Sequence, residues 1–241
     1  MSGRDQSPNE SQDGVQDRTA RPEHRWPVVV GVLLALGLYV LLPSEIVAAQ
    51  RYVVAGIGVL LLVPLIAINP HHYLRETRAS RLIEVALALV IVLANQVALV
   101  MLIVTLVNGA NNHGGSLLLA SLQVWVTNVI GFALLFWCID RGGPVARTQA
   151  ARSELQGADF RFPQDEDHDA VVEVARGSSD RSDWVPTFID YVYFSLTNSM
   201  AFSATDTMPL TVRAKALMGL ESFAGFVMLA LVIAHAVAQL G

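Results

Sequence analysis

DYVYFSLTNSMAFSATD, residues 190–206, decides how this chain threads. It lies between a polar stretch and the last apolar run of the sequence. It is long enough to belong to a helix that crosses a bilayer, yet polar enough to enter one and turn back. The rest of the chain fixes what surrounds it.

The chain has 241 residues, 53% of them hydrophobic, and a mean hydropathy of +0.47. A soluble domain carries about 25% charged residues. This one carries 15%, gathered into 1–25, 71–84 and 139–183. Between those stretches lie apolar runs on the scale of the ~20 residues a membrane helix needs. The lipid bilayer is therefore the expected partner of most of the chain. The net charge of -5 arises in the tail and one loop, with no basic stripe, so nucleic acid is not an expected partner. One cysteine, Cys138, excludes an intramolecular disulfide. The basic residues are 15 Arg and one Lys, a bias typical of a GC-rich genome.

Residues 1–25 are polar and cannot offset their ordering entropy by burial, so they read as a disordered tail. Four apolar runs follow over 26–139: 26–42, 52–68, 82–107 and 116–139. Each must be helical, because backbone groups in lipid bond within their own segment. Asn69-Pro70, Asn108-Gly109 and Gly142-Gly143-Pro144 punctuate them, and the third run extends back toward Arg78. Residues 140–183 read as an acidic loop. A C-terminal helix pair, 184–241, begins with 184–204, which Asp183 can cap with Pro186 in its first turn. The last helix runs from about Val212, with Pro209 placed to begin it. The expected fold is an all-α polytopic transmembrane bundle of about six spans with both termini on one side. Five spans plus a re-entrant segment is the alternative.

Basic residues orient the bundle. With six crossings, 13 fall on the side of the N-terminus and 3 on the other. If 184–204 re-enters, the split becomes 15 to 1. Either way the N-terminus is expected in the cytoplasm, which makes this a multi-pass protein of a bacterial cytoplasmic membrane.

Residues 190–206 resemble the pore region of two-helix potassium channels. The shared frame is an acidic residue, Tyr193-Phe194-Ser195, a Ser/Thr-rich turn and Asp206. The resemblance implies a filter over 201–206. That filter needs two glycines to let backbone carbonyls hold ions, and Ser203 and Thr205 stand there instead. A broader resemblance rests on FWCIDRGGPVAR (136–147), DFRFPQ (159–164) and DYVYFSLTNSMAFSATDTMPLT (190–211). Together they resemble a family of uncharacterised bacterial, mainly actinobacterial, polytopic membrane proteins. That resemblance covers about the last 105 residues and implies fold and location, with no catalytic residues.

Ionisable groups within a span are rare and mark sites by default. Glu221 lies about eight residues into the last helix and Asp190 six residues into the segment before it. His235 falls on nearly the same helical face as Glu221, with Gly225, Met228 and Val232 between them. One reading is a proton, ion or small-solute path along the C-terminal helix pair of an oligomer, using Glu221, Asp190, His235, Ser195, Asn198 and Ser199. The other is that Glu221 is hydrogen-bonded to Ser195, Asn198 or Ser199 as packing between helices. Asn95, Gln96, Gln123 and Asn128 also sit deep enough to need partners, and helix–helix hydrogen bonds are expected. QDEDHD (164–169) lacks the glycine of a calcium loop. No P-loop, G-x-S-x-G, H-E-x-x-H or C-x-x-C is present, so neither an enzyme, nor a cofactor, nor a metal is expected. A structural, regulatory or partner-binding role is the first functional expectation, and a channel or transporter, as a homo-oligomer, the alternative.

Overall fold

The computed structural model describes residues 20–42, 50–68, 71, 77–107, 114–166, 171–201 and 206–238. Among these the protein is mainly helical, with one pair of two-residue strands and irregular connections. The first four helices are α1 (Trp26–Val40), α2 (Gln50–Ile68), α3 (Arg78–Val107) and α4 (Gly114–Ile139). α3 begins at Arg78, as the sequence predicts. The region from 140 to 187 holds three short helices, α5 (Pro144–Gln149), α6 (Val172–Ala175) and α7 (Ser179–Ser182), and the strand β1 (Phe160–Arg161). Then come α8 (Phe188–Ala201), the strand β2 (Met208–Pro209) and α9 (Val212–Ala238).

Four helices, α2, α3, α4 and α9, are long and apolar enough to cross a membrane, and α1 is a shorter apolar helix beside them. α4 is the central post: 78% of its apolar stretch is buried, against 17% for α2. It packs against α1, α3, α8 and α9, whereas α2 packs against α1 and α3. The side of α1 that faces inward carries Val28, Val32, Ala35, Leu36 and Tyr39, a stripe at helical spacing.

Contacts at the helix ends fix the threading. The Arg25 amide donates to the His71 carbonyl at 3.1 Å, placing the start of α1 beside the end of α2. Arg51 Nη1 donates to the Leu42 carbonyl at 2.7 Å and closes the opposite end. Arg81, in the first turn of α3, lies against Gly143 just past α4. The chain therefore runs back and forth between a loop end, where 140–187 sits, and a far end.

α8 starts at the loop end, with the Phe188 ring 6.1 Å from that of Trp137. Ser195 lies against Glu221, and Ser199 lies against Gly225. Both pairs are 26 residues apart, so α8 and α9 run in the same direction. Two consecutive helices can do so only if the chain returns between them. It does: β2 pairs antiparallel with β1, Phe160 opposite Pro209 and Arg161 opposite Met208. The Leu210 amide donates to the Asp159 carbonyl at 2.8 Å. The 14 residues of α8 rise about 21 Å, short of a ~30 Å hydrocarbon core.

From Phe188 to Ala201 the chain thus runs into the bundle from the loop end, by Met208 it is back at that end, and α9 runs away from it to finish at the far end, the arrangement that the re-entrant alternative describes. Two local expectations change with it. α8 begins at Phe188, not Trp184. Pro209 belongs to β2 and does not open α9. Asp183 caps no part of α8; it sits at φ 51° at the end of α7, where its Oδ1 pairs with Arg152 at 2.9 Å.

Cysteines placed singly at Glu173, Asp206 and Gly115, all exposed, with Cys138 replaced by alanine, test this threading. Glu173→Cys and Asp206→Cys will react with an impermeant maleimide from one side of the membrane and Gly115→Cys from the other. Opposite labelling of the first two would mean that α8 crosses.

Candidate functional site

Two polar layers hold the re-entrant helix, one at the loop end and one inside the bundle. The loop-end layer is built by the motifs FWCIDRGGPVAR and DFRFPQ. α4 ends in a turn at Asp140–Gly142, where Arg141, Gly142 and Gly143 all take positive φ (51°, 83° and 98°). Two glycines tolerate that conformation without strain. The turn leaves Asp140, fully buried, pointing back into the protein. Its Oδ2 accepts the Tyr191 hydroxyl of α8 at 2.6 Å, and its Oδ1 accepts the backbone amides of Asp159 at 2.7 Å and Phe160 at 3.3 Å.

Asp159, also fully buried, passes the tie to α9. Arg213 meets both of its oxygens at 2.7 and 2.5 Å, and the Thr211 hydroxyl donates to Oδ1 at 2.5 Å. Arg141 reaches Asp165 at 2.5 Å. Beneath these groups the rings of Phe136, Phe160 and Phe194 stack with centroids 5.0 to 5.2 Å apart, and Phe162 lies 5.4 Å from Tyr191. The motifs that carry the family resemblance are therefore the parts that lock α4, the loop, α8 and α9 together.

Part of residues 20–25, read from the sequence as a disordered tail, is packed into the same layer: Glu23 and Arg25 are buried, while Arg21 and His24 are exposed. Glu23 is 9% exposed. Its Oε1 accepts the Phe188 amide at the start of α8 (2.5 Å), and its Oε2 accepts Trp137 Nε1 (2.9 Å). Arg147, with no exposed surface, meets Glu23 at 3.4 Å and donates to the Trp137 carbonyl at 2.7 Å. Its guanidinium lies 5.4 Å from the Trp137 ring centroid and 5.1 Å from that of Tyr191. Burial alone would lower the Arg147 pKa; the fields of Tyr191, Glu23 and Asp140 outweigh it and hold the pKa above the ordinary value.

Asp190, expected near the mouth of a path, is a helix-start residue. Its Oδ2 accepts both the backbone amide and the hydroxyl of Thr187 at 2.7 Å. Thr187 precedes α8 by one residue and Asp190 is its third, so the pair forms one half of a capping box. The T-x-x-D spacing was visible in the sequence and identifies the start that a cap at Asp183 missed.

The inner layer is the interface of α8 with α9. Glu221 is fully buried. Its Oε1 is paired with the Ser195 hydroxyl, and its Oε2 accepts Asn198 Nδ2 at 2.6 Å. Ser195 also lies 2.8 Å from the Val129 carbonyl of α4. Asn198 donates further to the Met218 carbonyl (3.1 Å), and Ser222 donates to Asn198 Oδ1 (2.9 Å). Gly225 lets the helices close here: a Cβ on it would sit 2.3 Å from the Ser199 carbonyl oxygen. Ser199 is apart from this network; its hydroxyl donates to the Leu196 carbonyl of its own helix. His235 lies in the last turns of α9, and its side chain is outside the described residues. The structure so brings together Glu221, Ser195 and Asn198, and leaves Asp190 and Ser199 elsewhere.

On the other side of α4, Asn95 and Gln96 of α3 each donate to Asn128 Oδ1 at 3.0 Å, the expected helix–helix bond. Asn95 Oδ1 and Asn128 Nδ2 are left over. Reversing all three amides exchanges which atoms are left but still leaves one donor and one acceptor.

The chain matches no family model, no curated protein and no solved structure.

Three substitutions separate the layers. Glu221→Gln retains an acceptor for Asn198 and offers an amide to Ser195, so stability will change by less than about 1 kcal/mol. Glu221→Ala removes both bonds and opens a void, at a cost of about 3 kcal/mol. Glu23→Ala leaves Arg147 buried without its carboxylate, which costs about 3–5 kcal/mol. Thermal unfolding of the detergent-solubilised protein ranks the three variants; a Glu221→Gln midpoint as low as that of Glu221→Ala would contradict the assignment.

Proposed function

We propose that this chain is an integral protein of a bacterial cytoplasmic membrane, loop end inward, that acts as a structural or partner-binding component, not as an enzyme. The orientation is supported by charge. With α8 re-entrant, 15 of the 16 basic residues fall by chain position at the loop end and Arg51 alone at the far end.

The role is carried by one observation: the intramembrane polar groups face each other, and the faces turned outward are apolar. Glu221, Ser195 and Asn198 are all buried and bonded to one another within a single chain. Beyond Arg213 and Lys215 in the first turn of α9, the exposed surface of the same two helices carries Tyr193, Met200, Phe223, Phe226, Leu229 and Ile233. A helix that lined a pore would turn its carboxylate toward water. Here the carboxylate ties the re-entrant helix to its neighbour.

A second reading, conduction by an oligomer, is favoured by the order of parts. A re-entrant helix followed at once by a crossing helix is also the order in the potassium-channel pore region that residues 190–206 resemble, but there the loop enters from outside, whereas the basic residues here put the entry on the cytoplasmic side. The two readings differ in flux. Reconstituted into liposomes with a potassium gradient and an internal pH dye, the protein will leak no faster than empty liposomes, with or without Glu221→Gln. A proton or potassium flux above that baseline that Glu221→Gln alters would establish conduction instead.

A further inference from the structure

Among the described residues, α8 fills the cleft between α4 and α9 from the loop end as far as Ala201. Beyond it lies a cavity of about 340 Å³. α4 contributes Leu118, Ser121, Leu122 and Trp125, the end of α8 contributes Ser199 and Met200, and α9 contributes Gly225, Met228, Leu229 and Val232. Gly225, Met228 and Val232 are the residues the sequence places on one face between Glu221 and His235. That face borders this cavity.

The chemistry of the wall selects the occupant. Its two hydroxyls are both spent: Ser121 donates to the Leu117 carbonyl at 2.8 Å and Ser199 to the Leu196 carbonyl at 2.9 Å. Among the described residues no charged side chain lines it. Leu118, Leu122, Met200 and Leu229 on its rim are exposed and continuous with the outward apolar surface. Apart from these hydroxyls and the Trp125 indole, the described wall is apolar. The space opens along this rim onto the outward apolar surface, which in the embedded reading lies against the hydrocarbon chains of the bilayer. The volume does fall at the lower end of the range of ligand pockets, about 300–1,000 Å³.

From this we infer that the cavity holds one hydrocarbon chain of a membrane lipid, seated between α4 and α9 and stopped at its inner end by Ser199 and Gly225. The chain completes the packing that the re-entrant helix leaves open, and Trp125 is in contact with it. The inference rests on the reading of the protein as bilayer-embedded and adds the class of ligand that reading lacks.

The test uses the full-length protein purified in detergent from vesicles of palmitoyl-oleoyl-phosphatidylglycerol. Native mass spectrometry will show one lipid retained per protein. Leu122→Phe with Val232→Phe, which fill the cavity from partly exposed positions, will lower the retained fraction about tenfold or more at an unchanged unfolding midpoint. In vesicles of the same lipid with brominated chains, the part of the fluorescence that Trp125→Phe removes will be quenched in the wild type and at most half as much in the filled variant. Equal retention and equal quenching in both proteins would overturn the inference. So would a lipid-free dimer in which Trp125 is shielded from bromine, since the occupant would then be a second copy. A protein that stays soluble without detergent would instead refute the embedded reading itself.

Discussion

The fold depends on one buried carboxylate at the end of the central helix. Asp140 has no exposed surface and accepts hydrogen bonds from the Tyr191 hydroxyl of α8 and from two backbone amides of the loop. An ionised group taken out of water is costly unless its lone pairs are filled. The turn that aims Asp140 inward, with three consecutive positive φ values, brings those donors to it. Asp159, held by that contact, presents its own carboxylate to Arg213 and Thr211. Two carboxylates in series thus join α4, the loop, α8 and α9, and the short strand pair follows from where they put the chain.

A re-entrant helix needs such an anchor more than a crossing helix does. A crossing helix exposes its end groups to water on both sides. A re-entrant one ends inside, and its tip cannot be held by solvent. α8 is secured at its base by Glu23, Thr187–Asp190 and Tyr191, and along its length by Ser195 and Asn198 against Glu221. The polar residues that make 190–206 look unlike a membrane helix are the ones that hold it to its neighbours. Its outward residues, Ile189, Tyr193 and Met200, remain apolar.

What the sequence made legible was local. Apolar runs and their Pro, Gly and Asn punctuation placed the long helices, because backbone bonding in lipid leaves helix as the default. Two of the three partners expected for Glu221, Ser195 and Asn198, are the ones it has, and the deep amides find the helix–helix hydrogen bonds that their depth demands, although which amide pairs with which was not legible. The direction of the chain after Ala201 was not legible either. Hydropathy is the same for a helix that crosses and one that turns back. The contacts that decide between them, Phe160 with Pro209 and Arg213 with Asp159, join residues about 50 positions apart. The packing of residues 20–25 was hidden for a similar reason. Glu23 is a polar residue in a polar stretch, and its partners Trp137, Arg147 and Phe188 lie more than 110 positions away.

These same contacts bear on what Glu221 can do. A carboxylate that relayed ions would need a route to water at both ends. Toward the loop end its interface is closed by the rings of Phe136, Phe160, Phe162 and Phe194. Toward the far end lies a cavity whose hydroxyls are spent on their own helices. Any conduction would therefore require the loop-end clamp to open, and that clamp includes Arg147, fully buried between Trp137 and Tyr191. Releasing it would expose a guanidinium, Glu23 and the start of α8 together. On the proposed reading this arrangement is a lock on α8, set at its base by Glu23 and Arg147.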